Sequence, residues 1–204
     1  MMRIALSKGY LLGDAEALLA RCGIVFDESL TTTRQLQVYD KTQTVCISLI
    51  RPWDVPVFVA HGAADLGIVG TDVLAEQTPN VRPILKLPFG HCRLVLAGPD
   101  RPVQAYQCIA TKYPRLTRAY FQKKHCPVTV LKLYGSIESA PLTGLADHIV
   151  DLTATGATLA ANKLVVYDTI LDSQAELIAN PVRLRFLYDR MSVLITQLHG
   201  LLDS

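Results

Sequence analysis

Residues 147–163 restrict the folds open to this chain more than any other stretch. Ile149-Val150 is a short apolar run that Asp151 closes, which reads as a strand. Thr153 to Gly156 is a turn of small hydroxyl residues and glycine, and Ala157 onward is a good helix former with Leu159 as its apolar anchor. A small-residue loop between a strand and a helix leaves several backbone N–H groups unpaired. Together with the helix dipole and the threonine hydroxyls they suit a phosphate. Asp151, at the strand's end, has the chemistry to accept hydrogen bonds from sugar hydroxyls, which points to a phosphorylated sugar. The same stretch also fits an ordinary βα turn in which Thr153 or Thr155 is only an N-cap.

The rest of the chain repeats this unit. Arg3 to Ser7 reads as a strand, and Leu11 to Cys22 as a helix stopped by Gly23. Strands are expected at 35–39 and 44–50, with Asp40 to Gln43 as their hairpin. Pro52 suits the first turn of a helix running to about His61. Leu66 to Val69 is apolar enough for a central strand, followed by a turn at Gly70-Thr71-Asp72, a helix from Val73 to Gln77 and a strand from Val81 to Leu87. His91 to Ala97 reads as a strand ended by Gly98-Pro99-Asp100-Arg101-Pro102. A second βα series follows: a strand at Cys108 to Ala110, a helix at about 115–124, a strand at Val128 to Leu133, and a helix from near Ser136 to about Leu145. After the 147–163 stretch, Leu164 to Ile170 reads as a strand returning the chain to the first half, and Pro181 to Leu202 as helix, with Leu184, Leu187, Met191, Leu194, Ile195 and Leu198 on its apolar face. Such alternation predicts an α/β protein with largely parallel sheets. The expected lobes are 1–92 plus 173–204, and 93–172, with a cleft between them.

Composition narrows the function. A formal net charge of +2 gives no global field for nucleic acid or a membrane surface, so any anion site must be local. The five cysteines are scattered without CxxC or metal spacing, and the five histidines form no zinc pattern. No Walker loop, GxGxxG or GxSxG occurs. No apolar run reaches the ~18 residues of a membrane span. Met1 to Lys8 runs straight into a strand without a secretory signal, so a cytoplasmic protein is expected.

Ligands in such folds sit on loops at the carboxyl ends of strands. The loops so placed are Lys8-Gly9-Tyr10, Arg51-Pro52, Gly67 to Asp72, Tyr134 to Glu138, and 151–158. Lys8 and Arg51 are cations suited to phosphate oxygens, though each alone also fits an ordinary surface charge. Ser136 marks a second helix start, and Glu138 suits a helix N-terminus or a sugar hydroxyl. Asp72 suits a helix cap, a purine amine or a ribose.

Seven segments occur in an order that carries a family resemblance: Leu6-Ser7-Lys8-Gly9; Asp54-Val55-Pro56; His61 through Leu74; Ala110-Thr111-Lys112-Tyr113; Lys132 through Glu138; Gly144-Leu145-Ala146-Asp147; and Asp151 through Leu159. Together, over essentially the whole chain, they resemble the catalytic chain of the ATP phosphoribosyltransferase family. The resemblance implies a two-lobed fold like that of periplasmic binding proteins, with the active site in the interlobe cleft. It implies transfer of the 5-phosphoribosyl group of 5-phosphoribosyl 1-diphosphate (PRPP) to N1 of the adenine of ATP, the first step of histidine biosynthesis. It further implies Mg²⁺ bound through substrate phosphates rather than by protein side chains. With no residues after the 181–202 helix for a regulatory domain, the chain looks like the short form. That form works with a regulatory subunit similar to histidyl-tRNA synthetase in a hetero-octamer, with a homodimer of catalytic chains expected. A non-catalytic solute-binding protein of the same fold is the rival reading.

Carried over residue by residue, the resemblance gives Asp151, Thr153, Ala154, Thr155, Gly156, Ala157 and Thr158 to the 5′-phosphate and ribose of PRPP. It gives Lys8, Arg34 and Arg51 to the diphosphate and ATP phosphates, as the catalytic cations. Gly70, Asp72, Tyr134, Ser136 and Glu138 fall to the nucleotide. One departure stands out: the family's first loop commonly reads Lys-Gly-Arg, and here Tyr10 takes the third position, with no charge.

Overall fold

The computed structural model describes residues 1–100, 106–186 and 188–202. Arg101 and Pro102, read as part of a chain break, and Leu187, read as an apolar helix position, lie outside the described residues. In chain order the first elements are β1 (Met2–Ser7), α1 (Leu12–Arg21), β2 (Gln37–Tyr39), β3 (Val45–Ile50), a 3-10 turn at Pro52–Asp54, α2 (Val55–Ala60), β4 (Leu66–Gly70), α3 (Thr71–Gln77) and β5 (Arg82–Lys86). Next come β6 (Cys92–Pro99), β7 (Cys108–Thr111), α4 (Pro114–Lys123), β8 (Thr129–Lys132), a 3-10 turn at Ile137–Ser139, β9 (His148–Thr153), α5 (Ala157–Ala161) and β10 (Leu164–Ser173). β11 (Ala175–Ala179), α6 (Pro181–Phe186) and α7 (Tyr188–Leu202) complete the described chain. It divides into two compact units, one of Met1–Gly90 with Gln174–Ser204 and the other of His91–Ser173.

The first unit is built on a six-stranded sheet of order β2-β3-β1-β4-β11-β5. β3, β1 and β4 run parallel, while β2 joins β3, and β11 joins β4 and β5, in antiparallel pairs. Alternate residues of a strand face opposite sides, and here both sides are apolar. Ile4, Leu6, Leu66 and Ile68 pack with Leu12, Ala15, Leu18 and Leu19 of α1 and with Met191, Leu194 and Leu198 of α7. Ala5, Val69 and Ile178 pack against Val55 and Val59 of α2 and Val73 of α3. Gly67 lets α2 come this close, because a Cβ there would meet Val59 at 2.8 Å and Val55 at 2.9 Å.

The second unit has a five-stranded sheet of order β10-β6-β9-β7-β8. β9, β7 and β8 are parallel, and β6 and β10 are antiparallel additions. One face buries Val95, Ala97, Ala110 and Ile149 under Ile137, Ala140 and Leu159. The other carries Phe121 of α4 and the ring contacts of His148 with Tyr106 and Tyr167.

Several elements differ from the sequence expectation. β9 does not stop at Asp151 but continues to Thr153, since Leu152 and Thr153 still pair with Leu94 and Arg93. β6 runs through Gly98 and Pro99, which pair with Val165 and Leu164 of β10; pairing with β9 ends at Ala97, so the proline closes the strand where its other side is no longer paired. No α-helix follows Ser136: Pro141 has no N–H to donate, and Gly144 turns left-handed at φ 72°, so only a 3-10 turn and bends form. β10 stays in the second sheet throughout its ten residues. The strand that re-enters the first sheet is β11, which the sequence reading left unassigned.

Candidate functional site

In the first unit, strand register gathers the expected cations. Ser7 pairs with Ile50, and the Lys8 N–H donates to the Ile50 carbonyl at 2.8 Å, so Lys8 and Arg51 leave adjacent parallel strands at one level. On the other side of β3, Gln37 pairs with Ser48 and the Leu49 N–H donates to the Leu36 carbonyl at 2.8 Å. Arg34 lies three residues before β2, on the segment that enters this edge of the sheet beside the end of β3. β4 adds Gly70 on the far side of Lys8, because Leu6 pairs with Ile68. Arg51, Lys8 and Gly70 therefore follow one another at the carboxyl ends of three neighbouring parallel strands, with Arg34 on the segment that leads into β2.

All three cations are exposed. The chain around Arg34 is shaped locally: the Gln35 N–H donates to the Thr33 hydroxyl at 3.2 Å. Upstream, the Glu16 carboxylate takes the Leu30 N–H and the Ser29 hydroxyl, both at 2.9 Å. Tyr10 is 70% exposed just past Gly9, whose φ is 103°. Asp72 lies in the first turn of α3 and is buried, while Gly70 is the N-cap and receives no side-chain hydrogen bond.

In the second unit, Asp151 to Thr158 leave the carboxyl end of β9, the central strand. The Gly156 N–H donates to the buried Thr153 hydroxyl at 2.8 Å, and the Ala157 N–H to the Thr155 hydroxyl at 3.3 Å. Gly156 has φ 80°, and a Cβ built on it would meet nothing within 4 Å, so the turn faces open space where only glycine is unstrained. Ala154, Thr155, Ala157 and Thr158 are exposed around it. The Ala160 N–H bonds the Gly156 carbonyl at 3.0 Å, and the N–H groups ahead of it in α5 belong to the helix end that has no carbonyl of its own to reach.

Asp151 accepts the Leu152 N–H at 2.8 Å. Its carboxyl is pushed up to about 6: burial raises it most and the Glu138 carboxylate adds to this, against the lowering by the Leu152 N–H and the Lys112 ammonium. Tyr134, Ser136 and Glu138 follow β8, the next-but-one strand, at the same end of this sheet. Ser136 is left-handed at φ 50°, and Tyr134 is 78% exposed with Lys132 5.2 Å from its ring centre. The residues expected on the nucleotide thus divide, with Gly70 and Asp72 in the first unit and Tyr134, Ser136 and Glu138 in the second. Lys112 received no role from the sequence. Its signal was its place between a strand and Pro114 at a helix start, the same position that singled out Lys8 and Arg51.

Among the described residues, no three of His, Cys, Asp and Glu converge as metal ligands, and no helix is long and apolar enough to cross a membrane.

The family model described as HisG: ATP phosphoribosyltransferase matches residues 51–200. A curated relative of that name from Geobacter metallireducens is 43% identical over 201 residues, which span 95% of each chain. The chain belongs to the ATP phosphoribosyltransferase family. A chain of the ATP phosphoribosyl transferase (HisG:HisZ) complex from Thermotoga maritima superposes with a TM-score of 0.87 at 33% identity, covering 100% of this chain and 99% of that one. The substrate binding protein of an amino acid ABC transporter matches with a TM-score of 0.62 at 13% identity, over 99% of this chain and 93% of that one. The latter likeness shows that the ATP phosphoribosyltransferase fold is of the periplasmic-binding-protein kind, and shows nothing of ligand.

Proposed function

We propose that the loop of 151–158 holds the 5′-phosphate and ribose of PRPP, while Lys8, Arg34 and Arg51 meet the diphosphate and the phosphates of ATP. The reaction follows from family membership. The chain is an ATP phosphoribosyltransferase, which moves the 5-phosphoribosyl group of PRPP to N1 of the adenine of ATP. The products are N1-(5-phosphoribosyl)-ATP and pyrophosphate, in the first step of histidine biosynthesis. The observation that carries the reading is the full-length family match, joined to an open glycine turn at the carboxyl end of the central strand of the second sheet.

The chemistry divides naturally between these groups. Adenine N1 has a free lone pair at neutral pH, so the nucleophile needs little help from a base. Its pair forms the new bond to ribose C1 as the C1–O bond breaks, and the bonding electrons leave with the diphosphate. Positive charge grows on the ribose and negative charge on the leaving group, so cations set around that group bind the transition state more tightly than the ground state. Thr155, Gly156, Ala157 and Thr158 anchor the far end of the donor, which fixes the orientation of C1. Asp151 and Glu138 accept hydrogen bonds from ribose hydroxyls. Gly70, Asp72, Tyr134 and Ser136 serve the nucleotide.

Mg²⁺ fits as an ion carried by the substrates, since phosphate oxygens are the hard donors it prefers and the two carboxylates near the loop are engaged with the sugar. When bound it supplies neutralisation of the diphosphate. A regulatory subunit of the HisZ kind is the proposed partner, by similarity to the Thermotoga maritima complex, and a pair of catalytic chains within a cytoplasmic hetero-octamer is the proposed assembly.

The test is optical. N1 substitution changes the adenine chromophore, so ATP and PRPP mixed with this protein and its regulatory subunit give a rise in near-ultraviolet absorbance. No rise under those conditions overturns the reading in favour of binding without chemistry.

A further inference from the structure

We propose that Lys112 is a positioning residue for Asp151, holding that carboxylate ionised beside Glu138 so that it can accept ribose hydroxyls. The proposal rests on the PRPP reading of the 151–158 loop and adds to it a residue that contacts no substrate in the scheme above.

The geometry comes from the parallel pairing of β7 with β9. Ala110 pairs with Ile149 and Thr111 with Val150, so the next residues, Lys112 and Asp151, stand side by side. Asp151 lies on the face of Ile149, and Lys112 is the first residue past β7, at a bend. Ala110 and Ile149 both belong to the cluster under Ile137 and Leu159, and side chains two residues further along a strand return to the same side. Val95, which pairs with Asp151 from β6, and Leu133, which follows β8, belong to that cluster too. Asp151 is therefore a charged position flanked by apolar ones, with Lys112 beside it, at the rim where the sheet meets the Ile137–Ser139 turn.

The backbone on either side of Lys112 is strapped to β9. The Thr111 hydroxyl donates to the Val150 carbonyl at 2.6 Å and accepts the Tyr113 N–H at 2.9 Å. The Thr111 carbonyl accepts the Leu133 N–H at 2.9 Å. This places the lysine at the residue level of Asp151 and gives it little backbone freedom to leave.

The groups facing Asp151 are few. From the 3-10 turn comes Glu138, which opposes ionisation; from β7 comes Lys112, which favours it. β6 offers Arg93, exposed and paired two residues along with Thr153, and α5 contributes no ionisable side chain. The Glu138 carboxylate opposes ionisation of Asp151, and a neutral Asp151 forfeits an acceptor for the ribose diol. Lys112 supplies a neighbouring cation from the strand end on one side of β9, and Arg93 lies on the other.

The experiment separates the lysine from the substrate. The full chain is labelled with ¹³C-aspartate, the Asp151 carboxyl resonance is assigned with Asp151→Asn, and its titration is followed without ligand in wild type, Lys112→Met and Lys112→Arg. PRPP affinity is then measured by calorimetry on the same proteins between pH 5.5 and 8.5. The expected result for Lys112→Met is an Asp151 midpoint higher by about 1 pH unit, with PRPP bound about fivefold more weakly at pH 6 and near wild-type at pH 8.5. Lys112→Arg restores both. An Asp151 midpoint that does not move overturns the role of Lys112. A midpoint that moves while PRPP affinity keeps its wild-type pH profile overturns instead the ribose role of Asp151.

Discussion

Gly156 donates its N–H to the Thr153 hydroxyl at 2.8 Å, so the turn after β9 is closed by the protein's own atoms. Thr153 is the last residue of a central strand and is buried. Its side chain therefore transmits the rigidity of the sheet to the glycine that opens the loop. A loop shaped before its ligand arrives loses less conformational entropy on binding.

Replacing that hydroxyl tests the arrangement. Thr153→Val keeps shape and β-branching but removes an acceptor worth about 1 kcal/mol. The expected outcome is a PRPP KM raised roughly fivefold with kcat near wild type, and Thr153→Ser restoring most of it. Gly156→Val should act more strongly, since a branched side chain at φ 80° is strained and its Cβ enters the open space of the turn. Steady-state kinetics at saturating ATP check both, and an unchanged PRPP KM in the two variants removes the loop from the PRPP site.

Arg34 lies on the segment leading into β2, and Arg51 directly follows β3, the antiparallel partner of β2. The exposed guanidinium groups of Arg34 and Arg51 and the Lys8 ammonium lie toward that end of β1 to β3, where a leaving diphosphate would collect charge. Arg34→Ala is expected to lower kcat by about 100- to 1,000-fold, the scale of a transition-state charge contact. Arg34→Lys should recover only part, because an ammonium cannot make the bidentate contact of a guanidinium. Wild-type turnover in Arg34→Ala, assayed with the regulatory subunit, rules out the assignment.

How much of this could be read from the chain depends on the distance over which each feature is decided. β1, α1 and the 40–43 hairpin are set by local pattern and turn residues, and they fold where the spacing put them. The 153–158 loop is local too: small residues between an apolar strand and a helix former. β11 is not. Its five residues, Ala175 to Ala179, carry the charged Glu176 in second place, and pairing with β4 and β5 buries that segment completely. A helix from Ser136 to Leu145 looked plausible from its apolar residues, but Pro141 and Gly144 decide the backbone instead. Lys112 was invisible as a partner of Asp151 because the two lie 39 residues apart and meet only through parallel pairing. Bringing Arg51 beside Lys8 needed the β1–β3 register, and Arg34 near them the β2–β3 pairing as well. The raised Asp151 carboxyl follows from burial, which no linear pattern reports.

Asp40 sits in the hairpin between β2 and β3, at the opposite end of β3 from Arg51, and its contribution to stability depends on pH. The carboxylate is 2% exposed and gathers the hairpin that joins β2 to β3. Val45 and Thr44 donate N–H groups to one oxygen at 2.7 and 2.8 Å, and Thr42 donates its N–H at 3.1 Å and its hydroxyl to the other. Burial alone would raise the carboxyl, but the Thr42 hydroxyl and the N–H groups of Val45, Thr42 and Thr44 outweigh it and hold it below the usual aspartate range. The folded state thus prefers the ionised form. That stability is fully present above the unfolded aspartate value of about 4 and is lost as pH falls through the lower folded value. Asp40→Ala, which strands these donors, is expected to cost about 2–3 kcal/mol at pH 7, a fall in Tm of roughly 5–10 °C for a chain of this size. The gap between variant and wild type should begin to narrow as pH drops below about 4, where the unfolded carboxyl takes up a proton, and should close as pH falls through the lower folded value. Thermal melts of both proteins from pH 3 to 8 check it. A gap that stays constant across that range would show that the hairpin depends on packing and not on the Asp40 charge.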